Sequence, residues 1–121
     1  MFFAVEHSLD ERRSVLGVTV RGDVDLSVTP RLRRAFLEVD SAGHRQLEVD
    51  LQRVEFLDSA GIGVLIGALR RARRAGGNLV VTAMSAEVAD VFELLGLDLV
   101  FGVSAPTQAA VAPLPADKAA S

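Results

Sequence analysis

The sequence predicts an α/β fold, a mixed sheet of four to five strands with about four helices. Short apolar runs rich in Val, Leu and Phe alternate along the chain with segments whose apolar residues recur at i, i+3, i+4 and i+7. Turn and capping residues fall between these segments, as in Gly22-Asp23, Ser41-Ala42-Gly43 and Gly76-Gly77. The 121 residues, 50% of them hydrophobic, suffice for one core and are too few for two.

The first run, Phe2 to His7, reads as a strand, and Asp10-Glu11-Arg12-Arg13 as a charged turn. From Ser14 to Arg21 the residues alternate, with Leu16, Val18 and Val20 on one face, which predicts a hairpin with one buried side. Ser27 or Thr29 then serves as N-cap, with Pro30 near the first helical position. The helix runs from about Pro30 to Asp40 and turns Leu32, Phe36 and Val39 inward. Gln46 to Leu51 is the next strand, and a helical crossover before it makes it parallel to the preceding one. The loop from Asp50 to Gly61 thereby lies at the carboxyl edge of the sheet, where α/β folds commonly bind ligands and partners.

That loop ends in Asp58 and Ser59, where a helix begins with unpaired N–H groups. Ile62, Leu65, Ile66 and Leu69 form its inner face, and Arg70, Arg71, Arg73 and Arg74 occupy the outer face and last turn, next to the negative end of the helix dipole. Gly76-Gly77 stop it, and Asn78 to Ala83 form a buried strand. Ser85 caps a helix over 86–95 with Val88, Val91, Phe92 and Leu95 on one face, ended by Gly96. A last short strand is expected over Leu97 to Phe101 and a final helical turn over Thr107 to Val111. The domain is placed at 1–111, and the Ala/Pro-rich stretch 112–121 reads as a disordered tail.

Composition narrows the function. The formal charge of −3 gives no basic field, and the aromatic residues are six phenylalanines, which argues against nucleic-acid binding. With no cysteine there are no disulfides, thiolate chemistry or cysteine zinc sites. The chain shows no leader and no run long enough to span a bilayer, so a cytoplasmic protein with no membrane partner is expected.

Motif tests remove most chemistry. Gly61, Gly63 and Gly67 fail the G-x-G-x-x-G spacing, because Ile66 stands where the third glycine belongs. Gly63 and Gly67, at i and i+4, instead suggest close approach of the helix to the sheet or to a partner. Ser59 fails as a hydrolase nucleophile, since Leu57 replaces the glycine two residues before it and His7 and His44 both read as solvated side chains. Asp23, Asp25, Asp50 and Asp58 are common strand-end and cap residues rather than a metal site. No catalysis, cofactor or metal is expected. What remains is an exposed hydroxyl, Ser59, either capping the helix or serving as a signal, with Phe56, Leu57 and Ile62 around it as a protein-binding surface.

The segment Asp58-Ser59-Ala60-Gly61-Ile62-Gly63, with the strand Leu47 to Leu51 and Val54-Glu55-Phe56-Leu57 before it, resembles the signature of the STAS family of anti-sigma factor antagonists. Gly22-Asp23-Val24-Asp25 with Thr29 resembles the family's first strand-to-helix corner, Gly76-Gly77-Asn78-Leu79 its next strand start, and Phe92 to Leu97 its late helix end. The likeness spans roughly Val5 to Val111. It implies a single STAS domain that binds an anti-sigma factor with GHKL-type serine kinase activity, releases a sigma factor, and is switched off by phosphorylation of Ser59, which a phosphatase reverses. Ala60 stands where the family often has a second serine, and Asp23 where it tends to have glutamate. The residues implied at the partner surface are Asp23, Asp25, Phe56, Leu57, Asp58, Ser59, Ala60, Gly61 and Ile62. The alternative is a STAS scaffold or adaptor subunit of a larger signalling or transport assembly, in which Ser59 is not phosphorylated. The oligomeric state stays open between a monomer and a weak dimer.

Overall fold

In the computed structural model, which describes residues 2–103, the two predicted N-terminal strands form an antiparallel hairpin. Strand β1 (Phe3–Asp10) pairs over its whole length with β2 (Val15–Gly22), so β1 extends three residues past the predicted His7. The turn between them places Ser14 at φ 55°, and Arg13 closes it by binding Asp10 (2.8 Å) and reaching across to Glu48 (2.9 Å).

Helix α1 (Thr29–Ser41) follows, with Leu32, Phe36 and Val39 buried as the periodicity requires. Its start differs from expectation. Neither Ser27 nor Thr29 caps it: Val28 is the N-cap residue and offers no side-chain acceptor. Asp25 takes both side chains instead. Its carboxylate accepts from the Ser27 amide and hydroxyl, and its carbonyl accepts from the Thr29 hydroxyl.

Strand β3 (Gln46–Arg53) pairs parallel with β2, and β4 (Asn78–Met84) pairs parallel with β3, as the crossovers dictate. Between them runs α2 (Ser59–Arg74), which packs on α1. Arg71 departs from its predicted outward position and forms an ion pair with Asp40 of α1, both side chains largely shielded. Gly76 supplies the left-handed stop at φ 90°, and a Cβ on Gly77 would lie 1.8 Å from the Arg45 carbonyl oxygen, so only glycine passes there.

Helix α3 (Ala86–Leu95) is capped by Ser85, whose hydroxyl accepts from the Val88 amide, and ends at Gly96 in the left-handed region. Val88 and Phe92 are buried, whereas Leu95, predicted on the same face, is exposed. The strand expected over Leu97 to Phe101 is a 3-10 turn, Leu97–Leu99, followed by a two-residue strand β5 (Gly102–Val103) beside β4. The Leu97 carbonyl accepts from both Val100 and Phe101 amides, which curls the chain so that Leu97 and Phe101 both enter the core and Phe101 meets Phe92 at 5.6 Å between ring centres. Three α-helices and one 3-10 turn therefore accompany the sheet among the described residues. The proposed turn over 107–111, the tail and the boundary at 111 lie outside them.

The strand order is β1-β2-β3-β4-β5. Leu16, Val18 and Val20 of β2, Leu47, Val49 and Leu51 of β3, and Leu79 and Val81 of β4 share one face and form a single core with the apolar sides of the helices. At ~1.5–3 kcal/mol for each large apolar side chain buried, this core is the dominant favourable contribution to the fold. It also fixes the C-terminal ends of β2 and β3 side by side, and the site grows from those two ends.

Candidate functional site

Beyond β3, Val54 is fully buried and its carbonyl accepts from the Ser85 hydroxyl, which anchors the loop to the start of α3. Two residues on, the loop meets the corner after β2. The Val24 amide donates to the Phe56 carbonyl (2.7 Å), and the Asp58 amide donates to the Val24 carbonyl (3.1 Å). Val24 and Leu57 thereby form a one-residue parallel bridge, an extension of the β2–β3 pairing into the loops.

This bridge sorts the residues. Val24, Leu57, Gly61 and Ile62 turn into the core, while Asp23, Asp25, Asp58 and Ala60 are partly exposed and Phe56 and Ser59 are exposed. Of the three apolar residues expected around the serine, only Phe56 (50% exposed) is available to a partner; Leu57 and Ile62, at 6% and 8%, hold the loop and helix down. Leu26, on the corner between Asp25 and Ser27, is 74% exposed and was not singled out by sequence. Its signal was an apolar residue in a turn, outside any helical or strand period.

The close approach of α2 falls on Gly61, not on Gly63 or Gly67. A Cβ at Gly61 would lie 2.6 Å from Val24 Cγ1 and 2.7 Å from Leu57 Cδ1, whereas one at Gly63 would meet nothing within 4 Å and one at Gly67 only the Arg71 guanidinium.

Asp58, not Ser59, caps α2. Its backbone is extended (φ −89°, ψ 179°), its Oδ1 accepts from the Gly61 amide (3.0 Å), and its carbonyl accepts from Ile62 (3.0 Å). Ser59 is the first helical residue, and its hydroxyl and the Ser59 and Ala60 amides have no protein partner among the described residues. Asp25 is held below the ordinary aspartate range, first by the Ser27 hydroxyl and then by nearby amides, so the corner beside the serine stays anionic. His7 and His44 lie elsewhere, lining a groove by β1 and α1. Among the described residues no group of three or more histidine or acidic side chains is placed to hold a metal, and no helix is long and apolar enough to cross a membrane.

The fold and site thus define an α/β domain that displays one exposed serine hydroxyl on a part-apolar, acidic surface. Residues 7–102 match the family model described as Mlab, STAS domain, and the chain belongs to the STAS domain family. It is similar to the anti-sigma-B factor antagonist of Bacillus subtilis (strain 168), with 28% identity over 94 residues that cover 78% of this chain and 85% of that protein. Among solved structures, an anti-sigma factor antagonist from Mycobacterium paratuberculosis superposes with a TM-score of 0.71 at 28% identity, covering 87% of this chain and 88% of the other. The Bacillus cell fate determinant SpoIIAA in its phosphorylated form shares the fold, with a TM-score of 0.62 at 20% identity over 84% of this chain and 90% of that one.

Proposed function

We propose that this STAS domain is an anti-sigma factor antagonist: unphosphorylated, it binds an anti-sigma factor with GHKL-type serine kinase activity and frees a sigma factor, and phosphorylation of Ser59 ends the binding until a phosphatase removes the group. The observation that carries this reading is the division of labour at the start of α2. Asp58 does the capping, so the exposed Ser59 hydroxyl has no structural duty and is free to be modified. The names of the relatives agree with the role, and SpoIIAA, which shares the fold, is known in a phosphorylated form.

The chemistry of the switch follows from charge. A phosphate on Ser59 adds about 1.5 to 2 negative charges at neutral pH. The helix N-terminus tolerates it, because free amides and the helix dipole favour an anion by ~0.3–1 kcal/mol. The docked partner does not. A carboxylate held ~5 Å away repels the phosphate by ~1–2 kcal/mol even in a water-like dielectric, about tenfold in affinity. Phe56 and Leu26 supply apolar anchors, so docking would also press a phosphate on Ser59 against an apolar partner surface, where an unpaired charge is costly.

The deciding experiment incubates the chain with ATP and candidate GHKL kinases and maps phosphate by mass spectrometry. Phosphate on Ser59, with at least about tenfold weaker anti-sigma factor binding by Ser59→Asp, is the expected result. No phosphate and unchanged Ser59→Asp binding would sink the switch in favour of the scaffold reading.

A further inference from the structure

Strand β1 is the outermost strand of the sheet, eight residues long, and no described element pairs with its free edge. Natural proteins usually shorten, charge or cover such an edge, because its unpaired amides and carbonyls invite another strand. Among the described residues only the first position of this edge is covered: the Arg31 guanidinium donates to the Phe3 carbonyl (3.3 Å) and lies over the Phe3 ring at 5.0 Å. Ala4 to Asp10 pair with no described element on this side.

We propose that β1 pairs antiparallel with β1 of a second copy of this chain about a twofold axis at His7, joining the two sheets edge to edge. A twofold perpendicular to the sheet keeps the helices of both copies on one side, and it must pass through a residue, since facing residues in an antiparallel ladder share a face. The sequence of the strand then selects the register. An axis at Glu6 would oppose two Glu6 carboxylates, and one at Ser8 would oppose Glu6 to Asp10. An axis at Val5 would need Phe3, which Arg31 already occupies. An axis at His7 uses Ala4 to Asp10, the whole open stretch, and faces Val5 with Leu9, Glu6 with Ser8 and Ala4 with Asp10, so no two carboxylates are opposed.

The helix side of this edge agrees with the same occupant. Phe3, Val5, His7 and Leu9 share the face of Val20, Val18 and Leu16 through the hairpin register. Val5 packs on the core, but Leu9 stays 48% exposed and, with His7, Leu16, Glu38 and Val39, lines an open groove of about 360 Å³. In the His7 register the second copy's Val5 lies against Leu9 and covers the groove mouth twice over by symmetry. Glu38 of each copy lines the groove with His7, so carboxylates accompany the two histidines near the axis. A seven-residue ladder is smaller than a standard interface of ~1,600 Å², and the dimer is accordingly weak, dissociating at roughly 10–1,000 µM. Phe3 pairs with Gly22 at the docking-site end of the sheet, so the antiparallel arrangement points the two Ser59 loops in opposite directions and leaves both free for partners. The proposal does not depend on Ser59 being phosphorylated.

Sedimentation equilibrium of the full chain over concentrations from ~10 µM to ~1 mM tests it. A concentration-dependent dimer is expected, weakened roughly tenfold or more by Leu9→Lys and unchanged by Leu37→Lys, which alters an exposed leucine on α1. The chain has no cysteine, so single-cysteine variants report the register directly. Facing residues lie ~4.5–5.5 Å apart at Cα, within disulfide reach, and His7→Cys should cross-link to dimer on mild oxidation much faster than Leu37→Cys. A chain that stays monomeric throughout overturns the dimer. Equal cross-linking by the two cysteine variants overturns the register, and it remains readable if Leu9→Lys fails to fold.

Discussion

The Val24 amide and the Phe56 carbonyl, 32 positions apart in sequence, are joined by a 2.7 Å hydrogen bond that ties the corner after β2 to the loop before α2. The bond makes one surface out of two loops. It holds the corner that carries Asp23, Asp25 and Leu26 to the loop that carries Phe56 and Asp58, and it brings Val24 hard against the first turn of α2 at Gly61.

Gly61→Ala should therefore damage the site more than an ordinary helix substitution. Alanine is the better helix former, yet its methyl would sit 2.6 Å from buried Val24 and 2.7 Å from buried Leu57. Overpacking of this kind costs ~1–3 kcal/mol. Urea unfolding measures the loss, and Gly63→Ala, which meets nothing within 4 Å, should be neutral or slightly stabilising.

Removing the cap separates structure from signalling. Asp58→Ala should cost ~1 kcal/mol, because the Gly61 amide loses its acceptor, whereas Ser59→Ala should stay within ~0.5 kcal/mol of the parent. Thermal unfolding of the pair checks it. Under the proposed function, Ser59→Ala also binds the anti-sigma factor and stays bound in the presence of ATP.

The two exposed apolar side chains give the opposite pattern. Leu26→Ala and Phe56→Ala should leave stability within ~0.5 kcal/mol, since neither is buried, and each should weaken anti-sigma factor binding by ~1–2 kcal/mol, or about five- to thirtyfold. Calorimetric titration with the partner decides. An unaltered affinity in both variants would remove these residues from the docking surface.

Acid titration reads the corner. Asp25 is depressed mainly by the Ser27 hydroxyl, so its charged form stabilises the folded chain above the ordinary aspartate value, and that contribution is lost as pH falls through the folded value. Ser27→Ala should raise the Asp25 midpoint toward the ordinary range, as followed by carboxyl carbon NMR. A midpoint that does not move would exclude the hydroxyl as its main cause.

Much of this was legible in the sequence because it is local. Short apolar runs, one of them alternating, and the 3.6 period placed all four long strands and three helices, and the crossover before β3 predicted its parallel pairing with β2. The signature around Ser59 identified the family that the match over 7–102 establishes. The misses involve residues whose fate depends on distant neighbours. Alternating Leu97, Leu99 and Phe101 carry a strand pattern, but Phe92 draws Phe101 inward around a 3-10 turn. Asp25, able to accept from both Ser27 and Thr29, withdrew the two candidate caps from α1.

The sequence alone determined the order and type of the long elements and the position of Ser59 at a helix start, since each follows from contacts within a few residues. Tertiary structure decided that Leu57 and Ile62 are core, that Gly61 is the tight contact, and that the corner carrying Leu26 is tied to the serine loop. Those outcomes require β2 and β3 to lie side by side, and chain proximity in space, unlike periodicity, is written in no short stretch of sequence.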